Sequence, residues 1–166
     1  MIETKRCRLT RIQEQDYEDV KQLYINHLVR MYLGGTIDDE FLLKEKFREI
    51  LNRSNNGSLF WVVRSIESNE FIGLTSLDKY HDGENTEISY EFLPQWWGGG
   101  LATEVIGKLI DYSFNDLELL SLVAETQTAN KQSCRLLQRV GMTLENKLHR
   151  FGAEQSLFRI ERSHGL

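Results

Sequence analysis

The residues best placed to do chemistry lie in one run, Glu87-Ile-Ser-Tyr-Glu-Phe-Leu-Pro-Gln-Trp-Trp-Gly-Gly-Gly-Leu-Ala-Thr-Glu104. A strand-like stretch ends at Pro94, the only proline of the chain, and passes through a turn and three glycines into a helix-like pattern. Proline has no backbone N–H and stops a sheet ladder. The strand is expected to splay at Phe92 and Leu93, freeing backbone groups to pair with an extended ligand as an added strand would. Gly98, Gly99 and Gly100 permit positive φ and close backbone approach. Amides at the start of a helix favour an anion, and a diphosphate fits both features; a flexible glycine hinge is the alternative. Two other phosphate loops fit poorly. The dinucleotide pattern G-x-G-x-x-G/A would have Thr103 in its last slot, on a run that ends a meander. A Walker loop needs Gly-Lys-Ser/Thr, whereas Leu101 follows Gly100.

Periodicity supplies the elements that must position this run. Cys7 and Leu9 alternate with Arg6, Arg8 and Thr10, a first strand. Asp16 is a candidate N-cap for a helix with Tyr17, Val20, Tyr24 and Leu28 on one face. A second helix is expected from Thr36, with Asp39 as a capping-box-like partner, to about Leu51. After a polar turn at Asn52–Ser58, three strands follow at 59–66, 70–79 (Gly73 suggesting a bulge) and 86–93. Leu101, Val105, Leu109 and Tyr112 mark a third helix, and 119–124 is apolar on both faces, as in a central strand. Asn130 caps a fourth helix ended by Gly141. Strands at 143–150 and 155–161 close the chain. The order β-α-α-β-β-β-α-β-α-β-β predicts an α/β (α+β) fold. Its mixed, mostly antiparallel sheet of about seven strands is flanked by about four helices and splayed between the fourth and fifth strands.

Composition narrows the class. The 166 residues suit one domain, 1–166, and 40% hydrophobic residues are enough for a core. A net charge of −5 argues against direct nucleic-acid binding. Cys7 and Cys134 form no CxxC pair and read as free thiols of a reducing cytoplasm. No two of His27, His81, His149 and His164 have metal-ligand spacing, so no metal is expected. The N-terminus lacks an apolar signal core, and no apolar run approaches the about 18 residues that span a bilayer. A cytoplasmic protein without membrane association follows; a homodimer is compatible.

Gln95-Trp-Trp-Gly-Gly-Gly100 resembles the Q/R-x-x-G-x-G/A signature of the GNAT acetyltransferases. Trp96-Trp97-Gly98 and Gly100-Leu-Ala-Thr-Glu104 are similar to the YWGxGYATEA form of that family's RimJ/RimL-like branch, which acetylates ribosomal-protein N-termini. Asn130-Lys-Gln-Ser-Cys-Arg-Leu-Leu-Gln-Arg-Val-Gly141 resembles the branch's N-x-x-S-x-x-x-x-x-x-x-G element, and Thr4-Lys-Arg-Cys-Arg-Leu9 its T-x-R-L-x-L opening. The resemblance implies the GNAT fold and an acetyl-CoA-dependent N-acetyltransferase acting by direct attack in a ternary complex. Acetyl-CoA would lie in the splay beyond Leu93. Its pantetheine would pair at Phe92 and Leu93, and its diphosphate would meet amides from Gly98, Gly99 and Gly100 through Leu101, Ala102 and Thr103, after Gln95. Asn130 would hold the pantetheine arm, and Arg135 could reach the 3′-phosphate.

Acetyl transfer needs amine deprotonation, oxyanion stabilisation and protonation of the leaving thiolate. Many GNAT enzymes carry an acidic tyrosine seven residues after the asparagine; Leu137 stands there in this chain. The RimL-like branch uses the serine three residues after it, which is Ser133. For the base, Glu145 in Thr143-Leu-Glu-Asn146 is similar to a branch T-L-E-G segment. Glu87 and Glu91, on one strand face, and a water relay are alternatives. Trp96 and Trp97 could wall the substrate entrance or pack beneath the loop, and Arg6, Arg8 and Arg11 read as an exposed strand face. A protein N-terminal α-amine is the favoured acceptor. A small-molecule amine, or a non-catalytic CoA-binding module of the same fold, is the alternative.

Overall fold

The computed structural model describes residues Met1–Ser163; His164 lies outside them. Its strands are β1 (Ile2–Glu3), β2 (Cys7–Arg11), β3 (Leu59–Ser65), β4 (Phe71–Lys79), β5 (Thr86–Phe92), β6 (Ser121–Gln127), β7 (Thr143–Arg150) and β8 (Ala153–Glu161). Its α-helices are α1 (Tyr17–Tyr24), α2 (Glu40–Asn55), α3 (Leu101–Asn115) and α4 (Lys131–Arg139). Hydrogen bonding orders the sheet β1-β2-β3-β4-β5-β6-β8-β7. β5 runs parallel to β6, while β1–β2, β2–β3, β3–β4, β6–β8 and β7–β8 are antiparallel. This is the mixed, mostly antiparallel α/β sheet expected, with eight strands instead of about seven. The extra one is β1, whose Ile2 stands opposite Leu9; two residues are too short a run to show alternation.

The chain divides into two compact units, residues Met1–Leu77 with Tyr90–Leu101, and Asp78–Ser89 with the chain from Ala102 onward. In the first, α1 and α2 supply Val20, Leu23, Tyr24, Leu43, Phe47 and Ile50 to a core completed by Phe60, Val62, Phe71, Leu74 and Leu93. Arg64 of β3 ties in α1 through Asp16 at 2.9 Å and Asp19 at 2.8 Å. The helical face expected to reach Leu28 stops at Tyr24, because the Asn26 Oδ1 accepts from the Leu28 and Val29 amides at 3.0 and 3.1 Å and turns the chain away. The second helix begins at Glu40 and not near Thr36, because Asp39 is itself the N-cap, accepting from the Leu42 amide at 3.1 Å.

In the second unit β6 lies between β5 and β8. Glu87 stands opposite Val123 on one side, and Ser121 through Gln127 pair with Glu161 through Gln155 on the other. β7 lines the far side of β8. β6 starts two residues later than the apolar run suggests, because the Leu119 amide is drawn back to the Ser113 carbonyl at 2.9 Å in the turn after α3. α3 buries Val105 and Leu109 of the face read from the sequence, together with Ile106 and Ile110, while Tyr112 is half-buried. No helix among the described residues is long and apolar enough to cross a membrane.

Gly73 is fixed by steric contact. The β3–β4 register slips between Val63 opposite Gly73 and Arg64 opposite Phe71, leaving Ile72 as an extra residue beside the glycine. A Cβ on Gly73 would stand 2.2 Å from the Glu91 carbonyl oxygen and 2.8 Å from the Phe92 ring. Gly73→Ala is therefore expected to cost about 3 kcal/mol, the upper range for overpacking, read as a lower urea midpoint at unchanged m-value.

Candidate active site

Pro94 opens a single 3-10 turn, Pro94–Trp96, directly after β5. The Trp97 amide donates to the Pro94 carbonyl at 3.0 Å, and the Trp97 indole N–H folds back to the Phe92 carbonyl at 2.8 Å. The Leu93 amide donates to the Ile72 carbonyl at 2.9 Å, and the Leu93 carbonyl accepts from the Trp96 amide at 3.0 Å. The expectation that this strand end presents free backbone groups thus needs correcting at Leu93, where both groups are engaged, and at the Phe92 carbonyl. The reason is local: proline removes only its own N–H, so the preceding residue still pairs with β4, and the turn folds back onto it.

The glycine loop has the predicted conformation at two positions. Gly98 and Gly100 hold φ of +81° and +80°, a region side chains rarely adopt. A Cβ on Gly98 or Gly99 would meet nothing within 4 Å, so the loop is open on that side. α3 then begins at Leu101, and the first amides of a helix have no partner within it. Leu101 is buried, Ala102 and Thr103 are half-buried, and Gln95 is exposed. Arg6, read from the sequence as part of a solvated strand face, instead donates from Nη1 to the Gly99 carbonyl at 3.0 Å. Its charge stands beside the amides suited to an anion. Only the pairing of β1 and β2 brings Arg6 there, and no local pattern signals it.

In the second unit Asn130 is the N-cap of α4, its Oδ1 accepting from the Ser133 amide at 3.2 Å. The cap brings Asn130 and Ser133 together on the first turn, both half-buried, while Arg135 is exposed. Leu137 is buried, so that position supplies no proton. Burial pushes the Cys134 thiol up, against the pull of Lys131. Glu145 sits where the β7–β8 register shifts, and its Oε1 accepts from the Arg159 Nε at 2.8 Å. Among the described residues no group of three or more His, Cys, Asp or Glu could hold a metal ion.

Sequence reading also missed a polar network at the residue that follows the apolar run 119–124. Glu125 of β6, 6% exposed at its side chain, accepts from the Tyr80 hydroxyl and from the Arg150 Nη1 at 3.1 and 3.0 Å, with the His81 Nε2 at 3.7 Å. Burial and the adjacent Glu125 carboxylate hold the Tyr80 phenol well above its ordinary range. Its partners saturate the carboxylate, as a structural network requires.

A mixed sheet with a parallel pair, a strand–proline–glycine–helix run in the first unit and an asparagine-capped serine in the second are the features to set beside known acyltransferases. The description "Acetyltransferase (GNAT) domain" matches residues 6–143, so the chain belongs to the GNAT acetyltransferase family. It is 29% identical over 158 residues to the uncharacterised N-acetyltransferase YoaA of Bacillus subtilis, covering 91% of this chain and 87% of that protein. Among solved structures, it resembles the spermidine N-acetyltransferase of Vibrio cholerae in complex with CoA and spermine, at TM-score 0.79 and 21% identity over 95% of this chain and 96% of that one. The ribosomal-protein-S5-alanine acetyltransferase of Vibrio fischeri matches at TM-score 0.78 and 13% identity over 98% and 97%. At such identities the two structures establish the fold alone.

The Asn130 cap makes its own demand on stability. Asn130→Ala is expected to cost about 1 kcal/mol and Asn130→Asp much less, because only alanine removes the capping oxygen; chemical unfolding of the two variants compares them.

Proposed function

We propose that the protein moves the acetyl group of acetyl-CoA onto a primary amine by direct attack in a ternary complex, with a protein N-terminal α-amine of the ribosomal-protein type, as in the RimJ/RimL-like branch, as its favoured acceptor. The observation that carries the reading is the positive-φ loop at Gly98–Gly100 opening α3, with Arg6 at its carbonyl, inside the span that the family description matches. The CoA diphosphate is assigned to the amides of Gly98, Gly99, Gly100, Leu101, Ala102 and Thr103, where unpaired N–H groups and the helix dipole favour an anion. Gln95 flanks the loop, Asn130 and Phe92 serve the pantetheine arm, and Arg135 serves the 3′-phosphate. Leu93, with both backbone groups engaged, serves by shape.

Ser133 is assigned the protonation of the leaving thiolate, its place on the first turn held by the Asn130 cap. Direct attack is favoured over an acyl-cysteine, because burial disfavours the Cys134 thiolate that such a route would need. Glu145 is the base that the branch resemblance offers. Its ion pair with Arg159 works against that role, since the Arg159 guanidinium already occupies its Oε1. Free thiols at Cys7 and Cys134 suit a reducing cytoplasm. Spermidine and ribosomal alanine are the acceptors named for two proteins of this fold, so the preference for a peptide α-amine rests on the branch-like segments.

Calorimetry is expected to give saturable acetyl-CoA binding, and Arg6→Ala to weaken it by about 1 kcal/mol at low salt and less at high salt, as for an exposed, screened charge. In a thiol-release assay over N-terminal peptides and small amines, Ser133→Ala is expected to lower kcat roughly 10²-fold, the range for a general acid. An unchanged kcat with chemistry rate-limiting removes Ser133 from the reaction. Binding without turnover across the whole panel would favour a non-catalytic module.

A further inference from the structure

Buried polar side-chain atoms nearly always have a partner. In the first unit the Tyr24 hydroxyl, the Glu91 Oε1, the Trp96 Nε1 and the Thr75 Oγ1 have none. Tyr24, Glu91 and Trp96 gather in one place. Tyr24 closes α1, is fully buried and shares a core cluster with Leu93, against which Trp96 packs. Glu91 lies within electrostatic reach of Tyr24, its charge acting on the phenol. Glu91 and Trp96 are each half-buried as whole residues, while their unpaired polar atoms are themselves buried. Leaving a carboxylate oxygen, a phenol and an indole N–H unsatisfied in one recess costs stability, since each buried unpaired polar group is expensive. The chemistry of the set suggests what satisfies it: two oxygens able to accept from an ammonium, and one N–H able to donate to a carbonyl.

We propose that Tyr24, Glu91 and Trp96 form the acceptor's head-group recess and take an α-aminoacyl group, its ammonium on the Glu91 carboxylate and the Tyr24 hydroxyl and its carbonyl oxygen on the Trp96 indole N–H. The inference rests on the acetyltransfer reading and its favoured α-amine acceptor, and names the residues that would hold that amine and the carbonyl one carbon away. Within it Glu91 also accepts one ammonium proton. The N–H bond breaks as the carboxyl O–H forms, and the nitrogen keeps the electron pair it needs to attack a thioester carbonyl. Burial pushes the Glu91 carboxyl up, opposed by the charges of Arg30 and Lys46, which improves its match to an amine as a proton acceptor. The same burial, with the Glu91 charge adding to it, holds the Tyr24 phenol protonated. Lys46 Nζ stands 5.5 Å from the Tyr24 ring centroid. The charges of Arg30 and Lys46, which act on Glu91, disfavour a multiply charged polyamine more than the single ammonium of an N-terminal residue.

The test is calorimetry on the CoA-saturated protein with L-alaninamide, isopropylamine and N-acetyl-L-alaninamide. L-Alaninamide is expected to bind saturably, isopropylamine about fivefold more weakly for want of the carbonyl, and the uncharged N-acetyl compound not at all. Glu91→Gln is expected to weaken L-alaninamide about tenfold and Tyr24→Phe about threefold, each with CoA affinity unchanged. Glu91→Gln is also expected to melt no lower than the parent, because burial of the charge is costly and its Oε1 has no hydrogen-bond partner. Equal affinity for L-alaninamide in the parent and Glu91→Gln, or a lowered melting temperature for Glu91→Gln, would make Glu91 structural and overturn the recess. Equal affinity for L-alaninamide and isopropylamine would overturn the role of Trp96. CoA binding with all three probes ignored would strike the recess alone, whereas failure of CoA itself to bind would take the acetyltransfer reading with it.

Discussion

Every functional feature of the first unit depends on how the chain leaves β5. A strand that runs on keeps its amides in the ladder, and one that stops in a loose loop leaves them disordered. Pro94 ends the strand and starts a tight turn, and the Trp97 indole clamps that turn to the Phe92 carbonyl. The chain then needs two left-handed residues, at Gly98 and Gly100, to reach the axis of α3. The result is an open, left-handed glycine loop that leads directly into the first residue of α3. Gly73 is bound to the same constraint from below. Its missing side chain lets the Glu91 carbonyl come within 2.2 Å of where a Cβ would stand, which sets the approach of β4 to the end of β5.

The polar interiors of the two units follow opposite logic. Around Glu125 a buried carboxylate collects a phenol, a guanidinium and a nearby imidazole, so its charge is compensated at home. Around Glu91 a carboxylate oxygen, a phenol and an indole remain unmatched. Buried groups that satisfy one another hold a fold together. Buried groups that do not are destabilising, and folds retain such costs mainly where a ligand relieves them. Comparable chemistry, differently completed, thus separates a structural cluster from a candidate binding one.

Most of the fold was legible because its elements carry strong periods. The faces of α3 and α4, the alternation in β5 and the apolar β6 are local signals. The errors fall where one hydrogen bond decides a boundary. Asn26 captures two amides and ends α1 at Tyr24, and Asp39, not Thr36, caps α2. Both Thr36 and Asp39 are caps by type, and only the fold chooses between them. Of the candidate site, the proline–glycine run and the Asn130 cap were readable because each acts within a few residues. Arg6 was not, since it reaches Gly99 across 93 positions. Tyr24 read as part of a helix face, and Trp96 as an entrance wall or a residue packed beneath the loop, because sequence reveals an aromatic's apolar body but not whether its polar tip finds a partner.

That last limit bears on how an acceptor site can be recognised at all. A diphosphate site is built from backbone, so glycines, a proline and a helix start announce it in any chain that has one. An amine site is built from side chains on separate elements, here α1, the end of β5 and the turn beyond it, and no fixed spacing links them. Its physical mark is energetic: polar atoms taken out of water that the protein does not itself satisfy. Tyr24 makes the point most clearly. Phenylalanine would fill the same volume between α1 and the sheet without stranding a hydroxyl, so packing alone gives no reason for tyrosine there. The hydroxyl has to be explained by what it meets when the site is occupied.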